Sequence, residues 1–199
     1  MKLGVFGGTF DPVHQGHLIL AEEALYHLSL DRVIWVLTPN PPHKISQPIL
    51  SWEKRLQMLT LAVAGNAGFE ISNVDILRKP PHYAVDTIKL LKEQYLGDQL
   101  ILLMGSDSLM DLPLWYQPRE LIHVSDGLGI MGRPGVTINL DWLEEQIPGI
   151  CQKLLYLSTP YVEISSSDIR QRITSGKPYR YFVPPAVYDH IEQHRLYLL

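Results

Sequence analysis

The feature that most constrains this chain is residues 7–18, GGTFDPVHQGHL, set directly after the apolar run Leu3, Val5, Phe6. Leu18, Ala21, Leu25 and Leu28 follow at three- and four-residue intervals, which predicts strand, glycine turn, helix. His14 and His17 then stand where a buried strand hands over to a helix N-terminus. Such a start offers unpaired N–H groups and the positive end of the helix dipole, and Gly7 and Gly8 let an anion reach the backbone. Pro12 fixes the turn and removes a competing donor. Two imidazoles three residues apart can each donate to a different phosphate oxygen. This stretch is therefore read as a phosphate site, against the blander reading of a shaping glycine and an exposed loop histidine.

Residues 32–38, RVIWVLT, form a second strand rich in β-branched and aromatic residues. Strand, helix, strand in so few residues makes a βαβ unit, hence a parallel sheet with a right-handed crossover. Further strands are expected near residues 69–72, at 99–105 (QLILLMG) and at 153–157, with helices at 52–64, 85–95 and 141–146. Ser51 is expected to cap the helix from Trp52, and Leu56, Leu59 and Val63 to share its inner face. The count of five or six strands alternating with helices predicts an α/β fold, a Rossmann-like open parallel sheet with helices on both faces, built as one domain over residues 1–199.

Composition narrows the function. The 199 residues are 46% hydrophobic and 19% charged with a net charge of −4, ordinary for a globular enzyme and wrong for a general nucleic-acid binder. A lone Cys151 permits no internal disulfide and is read as a small core residue. The sequence shows no secretory start and no run long enough to span a bilayer, so a cytoplasmic protein without membrane partners is expected. Homo-oligomerisation is left open.

Two loops are stiffened by proline: residues 39–50, carrying His43 and Lys44, and residues 78–83, RKPPHY. Both leave the ends of strands, the ligand side of an open α/β sheet. Gly105, Ser106 and Asp107 close the 99–105 strand, where Asp107 suits a ribose hydroxyl, a metal or a helix cap. GLGIMG at 127–132 matches G-x-G-x-x-G, but it lies inside a predicted strand, and Arg133, Pro134 and Gly135 then turn the chain instead of opening a helix, so a dinucleotide fingerprint is rejected. His190 and His194 have the spacing of metal ligands without a third partner and are read as ordinary helix-end residues.

Near the end, ISSSDIR at 164–170 repeats the opening logic: Ser165, Ser166 and Ser167 precede a helix whose Ile169 and Ile173 face inward. Arg170 in the first turn opposes the helix dipole, a mismatch that an anion would relieve. Two helix starts thus suit the two ends of a polyphosphate. The sequence has no G-x-x-x-x-G-K-[ST] and no serine or cysteine nucleophile motif. A phosphate monoester needs neither, being largely ionised at neutral pH, so alignment and charge neutralisation suffice.

GGTFDPVHQGH resembles the nucleotidylyltransferase signature built on H-x-G-H, and ISSSDIR resembles its second signature, S-S-[ST]-x-I-R. PPHK after the second strand, GSD at 105–107, LW before Tyr116, GRPG at 132–135 and RYFVPPAVYDHIEQHRLY at 180–197 all resemble the bacterial nicotinate-nucleotide adenylyltransferase family. That resemblance implies AMP transfer from ATP to nicotinate mononucleotide, with magnesium accompanying ATP. It implies catalytic roles for His14, His17, Lys44 and Arg170. ATP would be held by Gly7, Gly8, Thr9, Phe10, Gly105, Asp107, Arg133, Ser165, Ser166, Ser167 and Arg170. The nicotinate nucleotide would meet Lys44, Tyr83, Ala84, Trp115, stacked on the pyridine ring, and the backbone N–H of Tyr116. The family's S-Y-T before the third helix is His82, Tyr83, Ala84 here, which removes a hydroxyl while keeping a backbone N–H. The alternatives are adenylyl transfer to nicotinamide mononucleotide or phosphopantetheine, a cytidylyltransferase, and a non-catalytic nucleotide-binding module.

Overall fold

The computed structural model describes residues 1–41, 49–132, 137–158, 160 and 163–198. In chain order the elements are β1 (Lys2–Gly8), α1 (Gln15–His27), β2 (Arg32–Leu37), α2 (Trp52–Val63), β3 (Phe69–Ser72), α3 (Ala84–Gln94) and β4 (Gln99–Gly105). They continue with α4 (Ser106–Asp111), α5 (Pro118–Val124), β5 (Gly127–Met131), α6 (Leu140–Gln146), β6 (Leu154–Leu157), α7 (Ser166–Thr174) and α8 (Pro185–Gln193). The six strands form one parallel sheet in the order β3-β2-β1-β4-β5-β6, as the alternation of strands and helices predicts.

Successive strand residues feed opposite cores. Leu3 and Val5 of β1, Ile34 and Val36 of β2, and Leu100, Leu102 and Met104 of β4 join α3, α4, α5 and α6 on one face. Phe6, Val33, Trp35, Leu37, Ile101 and Leu103 join α1, α2, α7 and α8 on the other. A parallel sheet covered on both sides explains why these strands read as unbroken apolar runs. Sheet order reverses between β1 and β4, and at that switch point a crevice opens beyond the strands' C-terminal ends.

Three local expectations need correction. Gly7 and Gly8 are the last residues of β1, registered with Val36 and Leu37, so the turn itself falls on Phe10 to Val13. Ser51 stands at the N-cap of α2, but its hydroxyl accepts no capping bond. Cys151 is half-buried against the edge of one core, its thiol pushed up chiefly by burial. Residues 127–131 of GLGIMG form β5 and Gly132 follows it, and Gly129 makes room for neighbours: a Cβ there would sit 2.6 Å from Leu103 and 3.0 Å from Leu28. Arg133 and Pro134 lie outside the described residues.

Candidate active site

At the switch point lies a cleft of about 800 Å³. Its floor is the tips of β1 and β4, with Gly7, Gly8, Thr9 and Gly105. His14 and His17 line it at the start of α1, Ser165, Ser166 and Ser167 at the start of α7, Asp107 at the start of α4, and Tyr83, Ala84, Trp115 and Tyr116 on the far wall. A Cβ on Gly7 would meet nothing within 4 Å, so the backbone there is open to a ligand. A Cβ on Gly8 would instead strike the Phe10 ring at 2.8 Å, so packing demands that glycine.

His14 is the N-cap of α1 and is 3% exposed, which excludes an ordinary surface loop residue. Its backbone N–H donates to His17 Nδ1 at 3.2 Å, so a neutral His17 carries its proton on Nε2 and presents a donor there. The two imidazoles stack with centroids 3.6 Å apart and 23° between planes. Phe10 and Phe6 support the His17 ring at 5.1 and 5.8 Å. Phe10 is 2% exposed with φ of 49°, a left-handed conformation that costs about 1 kcal/mol or more and is offset by burying the ring among Phe6, His17 and Trp35. Its side chain is therefore packed into the core and not presented to the cleft.

The second helix start is tied directly to the first turn. Ser166 Oγ donates to the Pro12 carbonyl at 2.8 Å, and Arg170 Nη1 donates to the Asp11 carbonyl at 2.7 Å. Ser165 Oγ caps α7 by accepting from the Asp168 N–H at 3.0 Å, and Ser167 Oγ accepts from Arg170 at 3.3 Å. Because both of these hydroxyls accept, each keeps its proton to donate to a ligand. The charge of Arg170, at odds with the helix dipole, is answered inside the protein: Asp11 Oδ2 lies 3.8 Å from its Nη1. Arg170 thus braces the turn from the start of α7. Asp107 is exposed in the first turn of α4, where Gly105 holds the N-cap position.

On the opposite wall Tyr83 and Tyr116 stack with centroids 4.1 Å apart at 21°, beside half-buried Trp115. Beneath them Asp75, 2% exposed, accepts from Arg78 Nε at 2.9 Å and Thr87 Oγ1 at 2.8 Å. Arg78 also donates to the carbonyls of Pro81 and Tyr83 at 2.7 and 3.2 Å, fixing the loop before α3. Lys44 lies outside the described residues, as does Arg133.

Sequence reasoning missed Arg55, which is 1% exposed. Its guanidinium donates to the carbonyls of Leu50, Thr9, Thr38 and Pro39 at 2.8, 2.8, 2.9 and 2.6 Å, tying the exits of β1 and β2 together. Burial lowers its pKa, opposed chiefly by Asp11. Its place one turn before Met58 and Leu59 on the inner face of α2 was the available signal.

Two helix starts converging on the tips of β1 and β4 define a nucleotide-binding α/β protein with room for a polyphosphate. Residues 5–172 match the model of the cytidylyltransferase-like family. The chain is 43% identical over 196 residues to a probable nicotinate-nucleotide adenylyltransferase of Thermomicrobium roseum, covering 98% of this chain and 91% of that one. It is 37% identical to the nicotinate-nucleotide adenylyltransferase of Bacillus subtilis, covering 98% of each. The chain belongs to the cytidylyltransferase-like family and, within it, to the nicotinate-nucleotide adenylyltransferases. In fold it is similar to Plasmodium falciparum nicotinic acid mononucleotide adenylyltransferase complexed with NaAD, with a TM-score of 0.80 at 18% identity, covering 98% of this chain and 97% of that one.

Proposed function

We propose that this protein transfers AMP from ATP to nicotinate mononucleotide, forming nicotinate adenine dinucleotide and releasing pyrophosphate in the cytoplasm. The observation that carries the reading is the join between the two signatures, the Ser166 hydroxyl 2.8 Å from the Pro12 carbonyl. It puts the histidine turn and the triple-serine helix start side by side on one cleft, where a triphosphate can lie across both.

The acceptor's 5′-phosphate is an ionised nucleophile and attacks the α-phosphorus of ATP without a general base. The Nε2–H of His17, with His14 stacked beside it, donates to the oxygens on which charge builds at that phosphorus. The N-terminus of α7, with the Ser165 and Ser167 hydroxyls, holds the departing β and γ groups. Lys44 and Arg133 are assigned to the phosphates and ATP by family likeness alone. Trp115 stacks on the pyridine ring, and Tyr83, Ala84 and Tyr116 surround it. Among the described residues no group of three or more His, Cys, Asp or Glu is placed to hold a metal ion; magnesium is assigned here as the companion of the triphosphate, by family likeness. Bound there, magnesium would supply neutralisation of phosphate charge, and Asp107 lines the cleft as a carboxylate suited to a ribose hydroxyl or to that ion.

The test is pyrophosphate release from ATP with nicotinate mononucleotide, nicotinamide mononucleotide and phosphopantetheine assayed in parallel. Nicotinate mononucleotide is expected to be turned over clearly best. Equal rates with the first two remove the acid preference, and no turnover with any acceptor leaves a nucleotide-binding module.

A further inference from the structure

The turn that carries the histidines is gripped by parts of the chain remote in sequence. Arg55 holds the Thr9 carbonyl from α2, and Ser166 and Arg170 hold those of Pro12 and Asp11 from α7. A third grip comes from the C-terminal segment, and no step above uses it. After α8 the chain doubles back: the Leu196 N–H donates to the Ile191 carbonyl at 3.0 Å, and Leu196 is 4% exposed. Arg195 and Tyr197 have φ of 49° and 66°, left-handed conformations that side chains resist and that persist only where surroundings impose them.

What this geometry delivers is the Tyr197 hydroxyl, which donates to Asp11 Oδ1 at 2.8 Å while its oxygen lies 4.0 Å from Met58 sulfur. Asp11 is 2% exposed, and its Oδ2 has no hydrogen-bond partner among the described residues. Tyr197 is thus the donor that keeps this buried carboxylate in place, three residues before His14. Without it Oδ1 loses its hydrogen bond, the carboxylate is held only by the 3.8 Å approach of Arg170 Nη1 to Oδ2, and the turn loses a fixed anchor. Burial first, then the charge of Asp11, push the Tyr197 hydroxyl far above its ordinary value, so it remains protonated at any working pH.

We infer that Tyr197 is a positioning residue for adenylyl transfer: through the Asp11 carboxylate it sets the turn that places His14 and His17. The inference rests on the proposed function for its kinetic consequence, but not for its structural one. The test is Tyr197→Phe in the full chain, which keeps the ring and loses only the donor. Steady-state kinetics, thermal melting and long-range nitrogen–proton spectra of the histidine rings are compared with the parent protein. The expected result is a fall in kcat on the order of tenfold, since small misplacements of catalytic groups are costly, with KM for either substrate changed by less than about threefold. The His17 ring signals shift from the parent's Nε2–H pattern. Asp11→Asn loses about as much, and the double variant loses no more than the worse single one, because both act along one path.

Unchanged kcat and unchanged histidine spectra with a lowered melting temperature would overturn the inference, leaving Tyr197 as a brace for the fold alone. If Asp11→Asn does not fold, Tyr197→Phe decides by itself. If the parent protein turns over no acceptor, the functional reading falls, while the histidine spectra still decide whether Tyr197 sets the turn.

Discussion

The two walls of the cleft are built on different physics. The wall of α1 and α7 is fixed by directed bonds from buried or half-buried side chains: Arg55, Ser166, Arg170 and Tyr197 each reach a carbonyl or carboxylate of residues 9–12. The wall of α3 and α4 presents an aromatic pair, Tyr83 on Tyr116, with Tyr116 48% exposed and Trp115 half-buried. The first arrangement suits charge stabilisation, which depends on donors already in position when charge develops. The second suits recognition of a flat ring, where stacking tolerates small displacements. Catalysis and acceptor choice are therefore expected to fail separately when each wall is altered.

The largest effect falls on the rigid wall. Arg55→Met strips four carbonyls of a common donor and is expected to lower the unfolding free energy by about 3 kcal/mol or more, read as a reduced urea midpoint at unchanged slope. A stable variant with normal activity would show that the β1 and β2 exits need no tie. Next, His17→Ala is expected to lower kcat on the order of 100-fold, the usual value of one preorganised donor, with little change in KM. A change confined to KM would move His17 from transition-state stabilisation to plain binding. On the other wall, Trp115→Ala is expected to raise KM for the mononucleotide about tenfold, in line with the value of a stacked ring, while KM for ATP stays put. Equal shifts in both would merge the two walls into one. The smallest effect belongs to Tyr116→Phe, whose hydroxyl accepts from Gln117 Nε2 at 3.2 Å on the surface; acceptor KM is expected to change by less than about twofold.

Much of this division could be read from the sequence. The β1–α1 handover, the apolar β4 ending at Gly105, and α7 opening after Ser165 follow from continuous apolar runs, from helical three- and four-residue spacing and from residues that favour helix starts. GLGIMG could be dismissed because a dinucleotide loop must open a helix, and here it is β5. What stayed hidden is whatever depends on long-range placement. Arg55 and Asp75 look like solvated charges in a linear reading, and only the folded chain brings them to carbonyls and hydroxyls 12 to 46 residues away. Phe10 looked like a cleft residue because its neighbours are, but its left-handed backbone sends the ring inward. Arg170 looked short of an anion because Asp11, its partner, is 159 residues distant.

Arg55 also gives the cleft floor a fixed gauge. A single nitrogen, Nη1, spans the Thr9 and Thr38 carbonyls at 2.8 and 2.9 Å, so the tips of β1 and β2 can separate only by losing one of these contacts. A lysine would bring one compact nitrogen where the guanidinium spreads three across a plane, and could not reach all four carbonyls at once. Arg55→Lys would keep the charge yet let the spacing drift, making this residue the ruler against which the seat of the triphosphate is cut.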